Sequence, residues 1–491
     1  MSLTDKGHLS ILRTIARRAM IEKGLVPDFS HEAIAELGGI QMPAVTDGEK
    51  VRDLRNILWA SIDNDDTRDI DQLTAAQAMS GGSLMILVAV ADVDAIVKRG
   101  SAIDDHAHRN TTSVYTAAET FPILPEKLST NLTSLGFNED RLAIVVEMVI
   151  GRDGALLATD IYRAHVCNRA KLAYNSMAAW LDGIGNAPEA LASVNGLDEN
   201  LRLQERAAQT MNNLRRRHGA LSLETIEARP VFYGNEIRDL EVEKKNRART
   251  IIEEFMIGAN VVAARYLSSR KFPSLRRAVG TPKRWERIVE IAEEHGFELP
   301  QRPDSRALEE FLMKEKGIDP QRFPDLSLSV IKLIGSGEYI ADTPGDAAAP
   351  GHFGLAVGAY THSTAPNRRY VDLVMQRLLK AALNGAPVPY SSDELQALAI
   401  DCTEKENAAG KVERQVFKSA AAILLESRIG EQFNAVVTGA AQKGTWVRLA
   451  HPPVEGKLVE GFHGIDVGHI IRVQLIHTDV ESGFIDFKKV G

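Results

Sequence analysis

The densest chemical signal is the run Ser61-Ile62-Asp63-Asn64-Asp65-Asp66-Thr67-Arg68-Asp69-Ile70-Asp71-Gln72, with five aspartates in nine residues. Asp69 and Asp71 are two apart, so in an extended segment their carboxylates share one side, and Asp63 closes the other end of the loop. Magnesium takes hard oxygen ligands in near-octahedral geometry and keeps several waters. One or two such ions, or manganese in their place, activate a water and stabilise the leaving oxygen of a phosphodiester. Taken bare, the run also reads as an acidic surface loop or a calcium loop. An EF-hand needs glycine at its sixth position and glutamate at its twelfth, and this stretch has neither.

Opposite charge occurs in clusters. Arg270, Lys271, Arg276, Arg277, Lys283 and Arg284 lie between Arg265 and Arg287; Arg215-Arg216-Arg217 form a second group and Lys244-Lys245-Asn246-Arg247-Ala248-Arg249 a third. These clusters read either as solvated faces or as the phosphate-neutralising lining of an RNA channel. The net charge of −8 argues against a protein that coats nucleic acid with a generally basic surface.

The elements that must position these groups follow from periodicity. Residues 8–24 predict an amphipathic helix with Leu9, Leu12, Ile15, Ala16 and Ala19 on one face. Ser30 caps a second short helix ending at Gly38-Gly39. Together they make a small helical, helix-turn-helix-like module. Ile57–Ile62, Leu84–Val93 and Leu142–Ile150 read as strands, and helical patterns follow near 199–217, 248–267, 368–384 and 394–428. After residue 430, short β-like runs alternate with glycines: Phe433–Gly439, Gly444–Leu449, Ile470–Leu475 and Gly483–Phe487. Five short strands in this stretch predict an OB barrel, a common binder of single-stranded nucleic acid. The fold class is therefore α+β: a helical module over 1–50, a mixed central domain over 51–429 and a five-stranded barrel over 430–491. No stretch is apolar over the ~18 residues a membrane span needs, and Met1–Lys6 lack the basic and apolar regions of a secretory leader. Cys167 and Cys402 stand far apart without zinc spacing, so a reducing cytoplasm is expected.

The acidic run resembles the RNase II, or RNB, catalytic domain, whose pattern is Thr/Ser-Ile-Asp, a gap, then Asp-x-Asp-Asp. Asp63, Asp69 and Asp71 match; the fourth aspartate is Gln72 here. Further motifs follow at the family's distances: Val90-Ala91-Asp92-Val93, Gly100-Ser101, Arg109 to Tyr115, and Pro122 to Ser129. After them come Gly219-Ala220-Leu221, Ile252-Glu253-Glu254-Phe255-Met256, His352-Phe353-Gly354-Leu355-Ala356 and Tyr360-Thr361-His362. Ala365-Pro366-Asn367-Arg368-Arg369-Tyr370 stands where the family has Ser-Pro-Ile-Arg-Arg-Tyr, and Glu406 and Glu413-Arg414 come last. The stretch after 430 resembles the S-one RNA-binding domain in Gly444, Val447, the Pro452–Gly456 turn and Ile485-Asp486-Phe487. The first 50 residues are too short for the two cold-shock OB domains that most bacterial members carry there.

The resemblance implies a hydrolytic, processive 3′-to-5′ exoribonuclease acting on single-stranded RNA and releasing nucleoside 5′-monophosphates. It implies that Asp63, Asp69 and Asp71 hold magnesium, that Asp71 is indispensable, and that Arg368 grips the scissile phosphate, as a guanidinium fork suits phosphate oxygens. It further implies RNA contacts for Tyr115, Tyr174, Glu253 or Glu254, Glu413 and Arg369. No obligate protein partner is implied, and a monomer suffices. Gln72 supports a second expectation, a catalytically impaired RNA-binding or regulatory member, because an amide oxygen lacks the charge of a carboxylate.

Overall fold

The computed structural model describes residues 7–44, 46, 51–243, 245–344, 349–441 and 443–490. The leader reading over Met1–Lys6 and the position of Lys244 lie outside the described residues. Helix α1 (His8–Glu22) ends two residues earlier than its apolar pattern predicts. The break is Gly24, whose φ of +70° lets Leu25 N–H return to the Met20 carbonyl at 2.9 Å, a helix stop that favours glycine. Helix α2 (His31–Gly39) starts as predicted, with Ser30 Oγ accepting from Ala33 N–H.

A seven-stranded sheet forms the centre. Its strands are β1 (Arg52–Asp53), β2 (Ala60–Asp63), β3 (Gln72–Ala78), β4 (Leu84–Ala91) and, after a separate short ladder of β5 (Val114–Tyr115) with β6 (Thr120–Phe121), β7 (Asp140–Ile150), β8 (Leu156–Cys167) and β9 (Ala170–Ala173). The spatial order is β1-β8-β7-β4-β3-β2-β9. The outer pairs β1–β8 and β2–β9 are parallel, and the strands between are antiparallel. β4 is apolar along its whole length and buried on nearly every residue, as expected of a strand covered on both faces. β2 is shorter than the sequence suggests. The Trp59 indole N–H donates to the Leu54 carbonyl at 2.8 Å, which bends the chain and delays the strand to Ala60.

Five helices accompany this sheet: α3 (Ala102–Asn110), α4 (Tyr174–Leu181), α5 (Glu189–Ala192), α6 (Leu197–Arg217) and α7 (Arg247–Ser269). α6 and α7 pack on the sheet and on each other. A hairpin of β10 (Glu227–Tyr233) and β11 (Glu236–Glu243), and a ladder of β12 (Ser274–Ala278) with β13 (Glu338–Asp342), lie outside it. Helices α8 (Trp285–Glu294), α9 (Ser305–Ile318) and α10 (Phe323–Ile334) enclose a satellite core around Trp285, Phe311 and Phe323. Helix α11 (Tyr370–Asn384) precedes α12 (Ser392–Glu426), a 35-residue helix opened by a Ser391–Glu394 capping box.

The two N-terminal helices dock on the body at different places. Leu12, Ala16, Ala19 and Met20 of α1 share a core with Ala409, Val412 and Val416 of α12, whereas α2 packs against α3. Between them, the Asn110 side chain exchanges two 2.8 Å hydrogen bonds with the Val26 backbone, and Phe29 lies 4.0 Å from the His106 ring.

The barrel comprises β14 (Gln432–Ala441), β15 (Gly444–Leu449), β16 (Glu455–Glu460), β17 (Ile470–Asp479) and β18 (Phe484–Lys489). It closes in the order β14-β15-β16-β18-β17 around Phe433, Val437, Val447, Leu458, Leu475 and Phe487. Glu455-Gly456 belong to β16 rather than to the predicted turn. A Cβ on Gly456 would meet the Ile485 carbonyl oxygen at 2.5 Å and the Phe487 ring, so glycine is required for that close pairing. Ala421, Ala422 and Leu425 at the end of α12 belong to the barrel core. Both cysteines are free and buried, and among the described residues no helix is long and apolar enough to cross a membrane.

Burial drives the His106 pKa down to about 4 from 6.5. Below pH 6.5 the unfolded chain takes up a proton that the folded chain refuses, so this contribution is intact above pH 6.5 and is lost as pH falls toward 4. A His106→Gln variant is therefore expected to lose less thermal midpoint than the parent between pH 7 and pH 5, measured side by side by calorimetry. Equal losses would contradict it.

Candidate active site

β2 runs out at Asp63 and β3 begins at Gln72, so the acidic run is the connection between two neighbouring sheet strands. Its backbone is tied down along its length. Ile70 N–H donates to Ser134 Oγ at 3.0 Å, and that hydroxyl donates to the Arg68 carbonyl at 3.0 Å. Leu135 N–H reaches the Ile70 carbonyl at 2.9 Å and Ala91 N–H the Asp71 carbonyl at 3.0 Å. Of the five aspartates, Asp65 and Asp66 are exposed, Asp63 and Asp69 are half-buried, and Asp71 is only 3% exposed.

The second wall is the segment before α11. Asn367 N–H donates to Asp71 Oδ1 at 3.0 Å, and the Asn367 side chain accepts from the Thr133 hydroxyl. Arg368 Nε lies 3.4 Å from Asp71 Oδ2. That oxygen is buried and makes no hydrogen bond, so the contact is an ion pair lacking hydrogen-bond geometry. Burial pushes the Asp71 carboxyl up to about 7; Arg368 and the Asn367 N–H oppose this, and the charges of Asp69 and Asp372 add to it. Burial likewise raises Asp69, with Asp63 adding to the effect. The Arg368 side chain keeps 44% exposure, so it pairs with Asp71 while still facing the open side.

The third wall carries aromatic groups. Tyr115, on β5, donates its hydroxyl to Asp69 Oδ2 at 3.2 Å, and its backbone N–H is received by Glu413 Oε1 of α12 at 2.9 Å. Ser113 N–H donates to the Arg368 carbonyl at 2.9 Å, which joins the tyrosine segment to the arginine segment. Tyr174 opens α4 directly after Ala173, the β9 residue paired with Asp63. Thus Asp63, Asp69, Asp71, Tyr115, Tyr174 and Arg368, scattered over some three hundred residues of sequence, come to one place.

Other residues expected at the site have their side chains engaged by the protein itself. Glu254 is 1% exposed and receives Arg215 Nε at 3.0 Å and Asn212 Nδ2 at 2.7 Å, so its carboxylate is spent inside the protein. Glu253 is the exposed member of the pair. Arg369 turns inward and donates to Asp372 Oδ1 at 2.8 Å, the same oxygen that accepts Ala365 N–H at 2.8 Å. Its guanidinium therefore braces the turn that carries Arg368 instead of facing outward. Glu413, itself half-buried, holds Tyr115 through that residue's backbone N–H. The basic clusters are also largely consumed. Arg216 pairs with Glu309, Arg276 with Asp342 and Arg277 with Glu406, while Arg247 pairs with Asp182 and Glu205. Among the described members of its cluster, Arg249 reaches the site, donating to Asn64 Oδ1 at 2.9 Å.

Gln72 is where the chain departs most sharply from the expected acidic set. Its amide N–H donates to the Thr364 carbonyl, a bond that no carboxylate can make. The position therefore serves as a stitch between β3 and the arginine-bearing segment.

The donor chemistry suits a hard divalent cation. Asp71 Oδ2 is buried without a hydrogen bond, and burial and mutual repulsion oppose the charges of Asp69 and Asp71, a cost a cation would relieve. Among the described residues no three acidic, histidine or cysteine side chains converge to enclose an ion by themselves. Magnesium is commonly held by one or two carboxylates plus substrate phosphates, which agrees with both observations.

Fold and site together define an α+β protein with a carboxylate–arginine site on its central sheet and an OB-like barrel at the end of a long helix. The chain belongs to the RNB family of ribonuclease II and R proteins: the RNB domain matches residues 51–385, and the RNase II-type exonuclease C-terminal S1 domain matches residues 431–490. It is 31% identical to ribonuclease R of Aquifex aeolicus over 413 residues, 82% of this chain and 57% of that protein. It is also 31% identical to ribonuclease R of Escherichia coli over 421 residues, 82% of this chain and 50% of that one. The match thus spans between half and three-fifths of these two relatives. Mycoplasma genitalium RNase R, solved with ribose-methylated single-stranded RNA, shares the fold at a TM-score of 0.86 and 21% identity, over 98% of this chain and 78% of that one. Yeast Ssd1, described as a pseudonuclease, shares it at 0.72 and 16%, over 91% of this chain and 55% of that one.

Removing one partner of a buried ion pair strands the other. Arg215→Ala is expected to cost about 3 kcal/mol of stability by leaving the Glu254 charge without a cation. Chemical denaturation checks it, and an unchanged midpoint would contradict it.

Proposed function

We propose that this chain is a hydrolytic, processive 3′-to-5′ exoribonuclease that takes single-stranded RNA to nucleoside 5′-monophosphates, with magnesium, or manganese in its place, as cofactor. The observation that carries the reading is Asp71: a buried carboxylate with one oxygen free of hydrogen bonds, 3.4 Å from a half-exposed arginine and beside a second raised carboxylate. In this reading Asp63, Asp69 and Asp71 hold one or two ions, which when bound supply Lewis-acid stabilisation of the reacting phosphate. Arg368 faces the phosphate oxygens and neutralises charge developing on them. Tyr115 and Tyr174 offer faces to the terminal bases, and stacking accepts any base. Glu413 and Arg369 position Tyr115 and Arg368 from behind. Discrimination against DNA would require contacts to the 2′-hydroxyl. The parts are a helical module over 1–50, the catalytic domain over 51–429 and an RNA-binding barrel over 430–491. One chain carries every residue named, so a monomer suffices. A cytoplasmic location is implied, where thiols such as Cys167 and Cys402 stay reduced.

The second reading, a catalytically impaired RNA-binding or regulatory member, is favoured by one observation. Gln72 holds the Thr364 carbonyl where the family pattern has its fourth aspartate, so one carboxylate is missing from the ion-holding set.

A 5′-labelled single-stranded RNA incubated with magnesium or chelator separates the two. Metal-dependent shortening from the 3′ end to mononucleotides, abolished in Asp71→Asn and reduced about a hundredfold or more in Arg368→Ala, supports the nuclease. Retained RNA binding without shortening supports the impaired member. Gln72→Asp is expected to lower the thermal midpoint, because it replaces a donor with an acceptor opposite the Thr364 carbonyl and leaves a part-buried group unpaired. An unchanged midpoint would remove the stitching role assigned to Gln72.

A further inference from the structure

Among its described residues, the third basic cluster brings to the site a side chain, Arg249, that neither the acidic set nor the phosphate-gripping arginine accounts for. It lies in the first turn of α7, where Asn246 caps the helix and accepts Arg249 N–H at 3.0 Å. Two contacts of its guanidinium belong to different walls of the site. One is the 2.9 Å hydrogen bond to Asn64 Oδ1, and Asn64 N–H in turn donates to Asp63 Oδ1 at 2.8 Å. The other is the Tyr174 ring, whose centroid is 4.8 Å from the guanidinium carbon. The capping residue reinforces this arrangement, because Asn246 Nδ2 donates to Asn175 Oδ1 at 3.3 Å, next to the tyrosine. Tyr174 thus sits within the fields of Asp63, Arg249 and Arg368 together.

A planar cation over an aromatic ring fixes the plane of that ring; Tyr174 packs in part against the core around Ile62, Leu172 and Met177 and stays half-buried, so part of the ring remains for a ligand. We infer that Arg249 is a positioning residue: it clamps Tyr174 to the Asp63–Asn64 corner and so presets the ring as a stacking platform for a base near the RNA 3′ end. This rests on the stacking role given to Tyr174 above. Lysine could supply the charge but not the flat fork that spans both partners. Because the guanidinium is engaged with Asn64 and Tyr174, it acts on RNA through the ring, not by neutralising a phosphate.

The test is RNA binding in chelator, so that hydrolysis is not needed as a readout. The probe is a short single-stranded oligoribonucleotide with 2-aminopurine next to its 3′ terminus, whose fluorescence is quenched on stacking. Arg249→Ala and Tyr174→Ala are each expected to weaken binding about tenfold and to relieve the quench, a loss in the range of one base–aromatic stack. The double variant is expected to lose about tenfold in total rather than about a hundredfold, because both changes remove one interaction. Arg249→Lys, which keeps charge and stem, should behave as the alanine variant and guards against loss of folding, with thermal midpoints recorded for all. The slope of log affinity against log salt should stay unchanged, whereas a lost phosphate contact would lower it by about one. Additive losses, rescue by lysine or a lowered slope would each overturn the inference. Normal quenching in chelator with no shortening in magnesium would sink the nuclease reading and leave the Arg249 clamp standing. No quenching by the unsubstituted protein would overturn the clamp.

Discussion

A carboxylate taken out of water must find compensation close by or surrender its charge. At Asp71 the compensation comes from two sequence-distant sources, the Asn367 N–H on one oxygen and the Arg368 guanidinium facing the other, and it is incomplete, since the carboxyl is pushed up to about 7. Much of the surrounding architecture serves this incompletely satisfied group. Arg369 and Asp372 fix the turn that delivers Asn367 and Arg368. Thr133 holds the Asn367 side chain, and Gln72 bonds to the Thr364 carbonyl three residues before Asn367. A carboxyl so strongly shifted by burial is characteristic of functional sites.

The same logic explains why like-looking residues have different fates. Glu253 and Glu254 are adjacent, yet on a helix they point about 100° apart. Glu254 is buried against Arg215 at 2.5 Å, whereas Glu253 is exposed and only edges the same guanidinium at 4.0 Å. Arg368 and Arg369 diverge at the residue before a helix start, where extended backbone sends neighbours to opposite sides. Adjacent pairs in a motif therefore divide into one outward group and one bracing group.

The acidic run, the α+β class and the barrel were legible because each has a local signature: clustered aspartates after a β pattern, period changes from strand to helix, and short glycine-bounded strands. The positions of α1, α6, α7, α11 and α12 were legible from helical periodicity to within a few residues. Less legible were the hairpin β10–β11 and the helices α8 to α10, whose satellite core is assembled from residues that face one another only after folding. The assignment of arginines was not legible either. Periodicity shows that Arg215, Arg216 and Arg249 are basic, but their partners Glu254, Glu309 and Asn64 lie 39, 93 and 185 residues away. Nothing local marks Arg249 as a residue that reaches the site.

Helix α12 has a consequence beyond its packing. Its Glu413 fixes the Tyr115 backbone, and thirteen residues later the helix ends, its last turns already embedded in the barrel core. At 1.5 Å per residue that distance is about 20 Å, and it is spanned by a rod instead of a floppy tether. A strand touching both the barrel and the sheet would meet the second at an effective concentration fixed by the dimensions of this rod. Lengthening a linker would merely dilute such an encounter, whereas adding residues to α12 would also rotate the barrel by about 100° for each one. The helix therefore sets a phase as well as a distance.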